Sequence, residues 1–220
     1  MNDLTGQPIS LVLLLAAAGL VPFVFMALTS FLKISTVLQI TKSAIGAQNV
    51  PSNTVVMALA AALSLVAMAP VGQQIADRAV PVLESPPTRS IDFGTRLFEA
   101  AAEPMRAFLL DNSSVKERAR FAKLSQRAQG DDASPVESNS FAVVIPAFMV
   151  SELIEAFSLG FAIFLPFLVI DLLVGNVLLA LGMQMMSPAQ VSLPFKLLLF
   201  VAADGWGLLS QALIMSYRGG

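Results

Sequence analysis

Residues 141–181 read FAVVIPAFMVSELIEAFSLGFAIFLPFLVIDLLVGNVLLAL, forty-one positions that are almost wholly apolar yet carry Glu152, Glu155 and Asp171. About 20 helical residues cross the hydrocarbon core of a bilayer, so the stretch is roughly twice one straight span. Pro146, Gly160 and Pro166 interrupt it, and a break or fold-back is the expectation. A carboxylate at bilayer depth costs several kcal/mol unless it meets a partner or water. The segment therefore reads as part of a larger membrane assembly, its acids turned toward protein or a polar passage.

Composition agrees. The chain is 56% hydrophobic and 13% charged over 220 residues, with a mean hydropathy of +0.76, more apolar than a water-soluble domain of this size. Cysteine and histidine are both absent, which removes disulfides, thiolate chemistry, zinc sites and histidine acid–base catalysis. Phosphate-binding glycine loops, nucleophile elbows and metal-ligand spacings are missing as well, so no enzyme, cofactor or metal is expected. A net charge of −2 without a basic run excludes an evident nucleic-acid surface. No basic residue precedes the first apolar run, and hydrophobicity continues beyond Ala16-Ala17-Ala18-Gly19; an uncleaved first membrane segment is expected.

Working outward, four apolar regions appear, at about 9–32 with Pro22 inside, 54–71, 141–181 and 189–217. None alternates with period two, so the fold class is all-α. Of 28 charged residues, 19 lie in 72–140, a mixed-sign hydrophilic insertion. Within it, Phe93, Leu97, Phe98, Met105, Phe108 and Leu109 suit an amphipathic helix over 91–110, kinked or restarted at Pro104. A more polar helix is expected over 115–129 and a linker over 128–139. Three sections of a single unit follow: a first helical pair over 1–71, the insertion over 72–140, and the hydrophobic region 141–220. Lys33 and Lys42 stand in the connection between the first two apolar regions without an acid, which places that connection in the cytoplasm and the insertion on the periplasmic side.

Lys33, Glu152, Glu155, Asp171, Lys196 and Asp204 are the ionisable groups in or near apolar sequence. Interhelical or inter-subunit ion pairing explains them better than a proton relay, since histidine and acids repeated in two halves are lacking. A coupled ion or small-solute transporter built on Glu152, Asp171 and Lys196 is the alternative. Glu152 and Glu155, three apart on a helix, repel one another unless one is protonated or a cation lies close. Met183-Gln184-Met185-Met186, between Gly182 and Ser187-Pro188, lies where a helix ends. Its flexible thioethers suit either a deformable seal, if several copies surround an axis, or plain loop packing. Trp206 beside Asp204 fits an interfacial anchor.

Several strings, in order and over nearly the whole chain, resemble the FliP/SctR family of type III secretion export subunits. They are SFLKI at 30–34, AIGAQNVPSN at 44–53, MAP at 68–70, EPMRAF at 103–108, IPAF at 145–148 and SEL at 151–153. PFLVID at 166–171, SLPFKLLLFV at 192–201 and DGW at 204–206 complete the set. The resemblance implies a hydrophobic helical-hairpin export-gate subunit of the bacterial inner membrane with a hydrophilic helical insertion. It implies a pentamer joined by SctS/FliQ-like and SctT/FliR-like subunits, around a gated conduit for unfolded polypeptides. Helical hairpins raised toward the periplasm, with bends at the Pro and Gly positions of 141–181, are implied too. Met183, Gln184, Met185 and Met186 match the family's pore-lining methionine gasket, with Gln184 interrupting the run and Ser187 replacing an apolar residue. The start so close to the first apolar segment resembles the injectisome, virulence-linked branch more than the flagellar one.

Overall fold

A computed structural model describes residues 6–47, 51–84, 90–129 and 137–217. Among them the chain is all-α, with nine helices and no strand: α1 Gly6–Leu28, α2 Phe31–Ile45, α3 Asn53–Ala67, α4 Ala69–Glu84, α5 Ser90–Asp111, α6 Val115–Gln129, α7 Phe141–Ala180, α8 Pro188–Ala202 and α9 Gly205–Met215. The polar helix over 115–129 is found as expected. Most of the expected linker, at 130–136, lies outside the described residues.

The long apolar stretch does not break. α7 runs through Pro146, Gly160 and Pro166 as one helix of 40 residues, about 60 Å long at about 1.5 Å per residue. A proline removes one backbone bond and displaces one carbonyl, a local fault that neighbouring helices can absorb. Pro104 is carried inside α5 in the same way. Gly160 marks a close approach and not a bend: a Cβ there would lie 2.5 Å from Cδ1 of Ile40 on α2. Gly160→Ala is therefore expected to lower stability by about 1 kcal/mol, an overpacking cost partly offset by better helix propensity. Thermal unfolding in detergent checks it. Ile40→Val removes Cδ1 but leaves Cγ2 2.9 Å away, so it should restore part of the loss, and an unchanged midpoint for the single variant would refute the contact.

Breaks occur elsewhere: at Thr29-Ser30, at Met68 just before Pro70, and at Asp204. The first apolar region bends by 73° between α1 and α2, where Thr29 Oγ1 donates to the Phe25 carbonyl at 2.6 Å and accepts from the Phe31 N–H at 3.3 Å. Side-chain hydroxyls that bond local backbone compete with helix continuation. The second bends by 55° between α3 and α4. Ser30 Oγ and Ser64 Oγ meet at 2.9 Å and tie the first break to the end of α3. The fourth region bends by 60° at Asp204, whose φ of 49° ends α8 and starts α9. Pro22, Pro104, Pro146 and Pro166 are carried inside helices, whereas Pro70, the second residue of α4, stands at the second bend.

α2 extends to Ile45, so Lys33 and Lys42 stand on a helix and are both buried. They are not loop charges of the kind on which the topology rule acts. Ten of the 15 residues of α2 are buried, which makes it the central element. Phe31, Ile34, Val37 and Leu38 pack with Val56 and Ala60 of α3, Ala156 of α7 and Leu213 of α9. A second core joins the insertion to α7 through Val71, Phe108, Leu109, Val144 and Phe148. A third, Ala44, Ile45, Phe167 and Phe200, closes the end of α2 against α7 and α8. Among the described residues α7 is the one helix long and apolar enough to cross a membrane alone, and the three bent pairs qualify when each is taken as one span.

Candidate functional site

Two ion clusters and a methionine turn are strung along α7. The first is held by α2, α7 and the end of the chain. Lys33 Nζ lies 3.2 Å from Glu152 Oε1 and 2.9 Å from Glu155 Oε2. Its side chain is 1% exposed and that of Glu152 0%, against 57% for Glu155. Lys33 is thus the cation that lets two carboxylates share one helix face. Tyr217 completes the enclosure. Its hydroxyl donates to Glu152 Oε2 and lies 3.1 Å from the Ser30 carbonyl oxygen, while Lys33 Nζ sits 4.1 Å from its ring centroid. The Phe108 ring stacks on that of Tyr217, centroids 5.9 Å apart.

Farther along, Asp171 of α7 meets α8. Lys196 Nζ is 2.6 Å from Asp171 Oδ2 and donates to the Ala44 carbonyl at 3.1 Å. Ser192 Oγ donates to Asp171 Oδ1 at 2.5 Å. One buried ammonium therefore neutralises a carboxylate and satisfies a carbonyl in the last turn of α2, where helix carbonyls lack intrahelical partners. Asp171 keeps 28% of its side-chain exposure. Both ammonium groups bridge helices of the same chain. Such pairs fix helix positions more than they add stability, because desolvation offsets much of their attraction.

The α7–α8 hairpin turns at residues 181–187. Gly182, with φ 74°, donates to the Leu179 carbonyl at 3.0 Å, and Met183 N–H donates to the Leu178 carbonyl at 2.9 Å. These are the paired bonds of a Schellman cap, for which a left-handed glycine is the favoured residue. Met186 N–H then returns to the Met183 carbonyl at 3.3 Å, and Pro188 starts α8 in the position where its missing N–H costs nothing. The chain thus presents Met183, Gln184, Met185 and Met186 outward at the hairpin tip. All four are exposed, Met185 fully.

The six ionisable residues singled out in the sequence therefore fall into two groups and one singleton. Lys33 joins Glu152 and Glu155; Lys196 joins Asp171. Asp204 stands alone and exposed at the α8–α9 bend, where its carboxylate would be crowded by any side chain at Gly207 and its charge suits the start of α9. Tyr217, Ser30 and Ser192 escaped the sequence reading. Tyr217 is the single tyrosine of the chain, which is a composition signal, but nothing in its spacing announces a carboxylate 65 residues away.

Comparison with known proteins adds what geometry cannot. The profile of the FliP family matches residues 14–213. The "Pathogenicity-related ORF2" protein of Xanthomonas campestris pv. glycines is 42% identical over 91% of this chain and 92% of its own length. The "Yop proteins translocation protein R" of Yersinia pestis is 40% identical over 96% of this chain and 97% of that protein. The "Flagellar biosynthetic protein FliP" of Caulobacter vibrioides is 39% identical over 99% of this chain and 79% of that protein. Matches of this length and identity, spanning all three cores and both ion clusters, place the chain in the FliP family.

Proposed function

We propose that the chain is a subunit of a type III protein-export apparatus of the bacterial inner membrane, of the injectisome kind. It assembles with copies of itself, five as the resemblance implies, and with SctS/FliQ-like and SctT/FliR-like subunits, to enclose a gated path for unfolded polypeptides. The observation that carries this reading is the α7–α8 hairpin: an apolar, largely exposed pair of helices with three methionines projecting from its tip. Phe157, Phe161, Val169, Leu172 and Val177 of α7, with Leu198 and Val201 of α8, are all exposed on the single chain. Surface of that kind calls for lipid or for sister subunits.

The depth of the hairpin follows from α6. That helix carries Lys116, Arg118, Arg120, Lys123 and Arg127, and the Ser114 N–H preceding it donates to Ser151 Oγ of α7 at 2.9 Å. Arg106 of α5 lies over the Phe141 ring at 4.7 Å. A hydrocarbon core about 30 Å thick does not admit these charges, so the first part of α7 stands outside it. The remainder, toward the methionine turn, is left for lipid or subunit contact. This supports helices that stand partly outside the hydrocarbon; that the 72–140 segment faces the periplasm is what the resemblance implies.

Copies of the turn around an axis would close the path with thioethers, which exclude ions yet yield to an extended chain. Replacing Met183, Met185 and Met186 together with alanine is expected to leave assembly intact and raise ion leak several-fold through reconstituted complexes. A complex that assembles and leaks no more than the wild type would sink the gate. The transporter alternative, on Glu152, Asp171 and Lys196, needs charges facing a passage, whereas Glu152 and Lys196 are buried between helices of one chain and Asp171, 28% exposed, is paired with Lys196.

A further inference from the structure

Nine of the ten methionines lie among the described residues, five of them partly buried against a core and four exposed. Met26 and Met57 pack against the α2–α3 core, and Met68, Met105 and Met149 against the core shared by the insertion and α7. Met183, Met185 and Met186 stand on the hairpin turn, with Met185 fully exposed, and Met215 is exposed near the end of α9. Cysteine and histidine are absent, so no thiol or imidazole on this chain competes for a mild oxidant. Thioether oxidation follows access to the sulfur, and its product is a polar sulfoxide that specific reductases convert back.

We propose that the Met183-Gln184-Met185-Met186 turn is a site of reversible oxygen transfer from small peroxides, and that its oxidation state sets how dry the constriction is. The site rests on exposure and chemistry; its effect on leak rests on the gate reading above. In the step, a thioether lone pair attacks one peroxide oxygen and the O–O bond breaks. Sulfur gains that oxygen and is oxidised by two electrons, and the second oxygen leaves as water after taking up a proton. A ring of thioethers presents no strong hydrogen-bond acceptor to water, whereas a ring of sulfoxides presents one on every copy. Gln184 already places an amide in the turn, so sulfoxides on either side of it would give water a continuous set of partners.

The test treats the assembled wild-type complex in lipid vesicles with hydrogen peroxide. Sulfoxide is mapped by peptide mass, and ion leak is followed before and after adding the two methionine sulfoxide reductases with a thiol reductant. Met185, fully exposed, should oxidise before partly buried Met105 and Met149, and leak should rise several-fold and fall again on reduction. A variant with leucine at 183, 185 and 186, whatever its starting leak, should not respond to peroxide, and Met215→Leu should respond like the wild type. Equal oxidation of turn and core methionines would overturn the site. A fully oxidised turn with unchanged leak, in a system where the triple alanine variant does leak, would overturn its effect. If the triple alanine variant does not leak, the gate reading fails, and the mass map still decides whether the turn is where oxygen is transferred.

Discussion

Lys33→Ala is expected to destabilise the chain by about 3–5 kcal/mol, because removing one partner leaves a buried carboxylate uncompensated. Glu152 is 0% exposed and faces Lys33 on one oxygen and Tyr217 on the other. Without the ammonium, only the tyrosine hydroxyl remains, and a single neutral donor does not replace a counter-charge in a dry site. Glu155 also loses its partner, but at 57% exposure it regains water and contributes little. The variant should unfold at a markedly lower temperature in detergent and copurify poorly with other export subunits. Lys33→Met combined with Glu152→Gln should recover much of the loss, since the uncompensated charge is gone. Glu155→Gln alone should change the midpoint little. A Lys33→Ala protein as stable as the wild type would mean that the pair contributes nothing to the fold.

The pattern of apolar runs and the clustering of charge in 72–140 made the helical class and the insertion legible, and 115–129 was readable almost to the residue. What could not be read was where the helices bend. Pro146 and Pro166 look like stops in a sequence, yet in α7 each is a single lost bond among a long ladder held by α2, α5, α6 and α8. Thr29, Ser30 and Asp204, which look innocuous, sit at real breaks, because a hydroxyl or a left-handed backbone competes with helix only where a neighbour such as Ser64 rewards it. Lys33 suffered the same fate. Its place between two apolar runs suggested a loop charge, and only the packing of α2 against α7 shows it to be the buried centre of a cluster. Charges at helical spacing on one element, such as Glu152 and Glu155, are legible; their partner on another element, 122 residues away in the case of Lys33 and Glu155, is not.

Phe148→Ala should cost about 3–5 kcal/mol, the range for emptying a large aromatic from a closed core, and its effect should reach the insertion before it reaches α2. Phe148 is fully buried, its ring 5.6 Å from that of Phe108 on α5, and it shares a core with Val71, Leu109 and Val144. That core fastens the hydrophilic helices to α7. A second seam, where α6 packs along α7 and the Ser114 N–H donates to Ser151 Oγ, is more extensive than the α5–α7 contact, so the loss should be felt first in α5. Limited proteolysis should therefore cut Phe148→Ala within α5 at concentrations of protease that spare the wild type, while the α2–α3 core stays protected. The same packing predicts that residues 72–140 expressed alone do not form a stable protected unit, since three of the five buried residues of that core, Val71, Val144 and Phe148, lie outside the fragment. A protected, cooperatively unfolding 72–140 fragment would show instead that the insertion is an independent domain that the hydrophobic helices merely anchor.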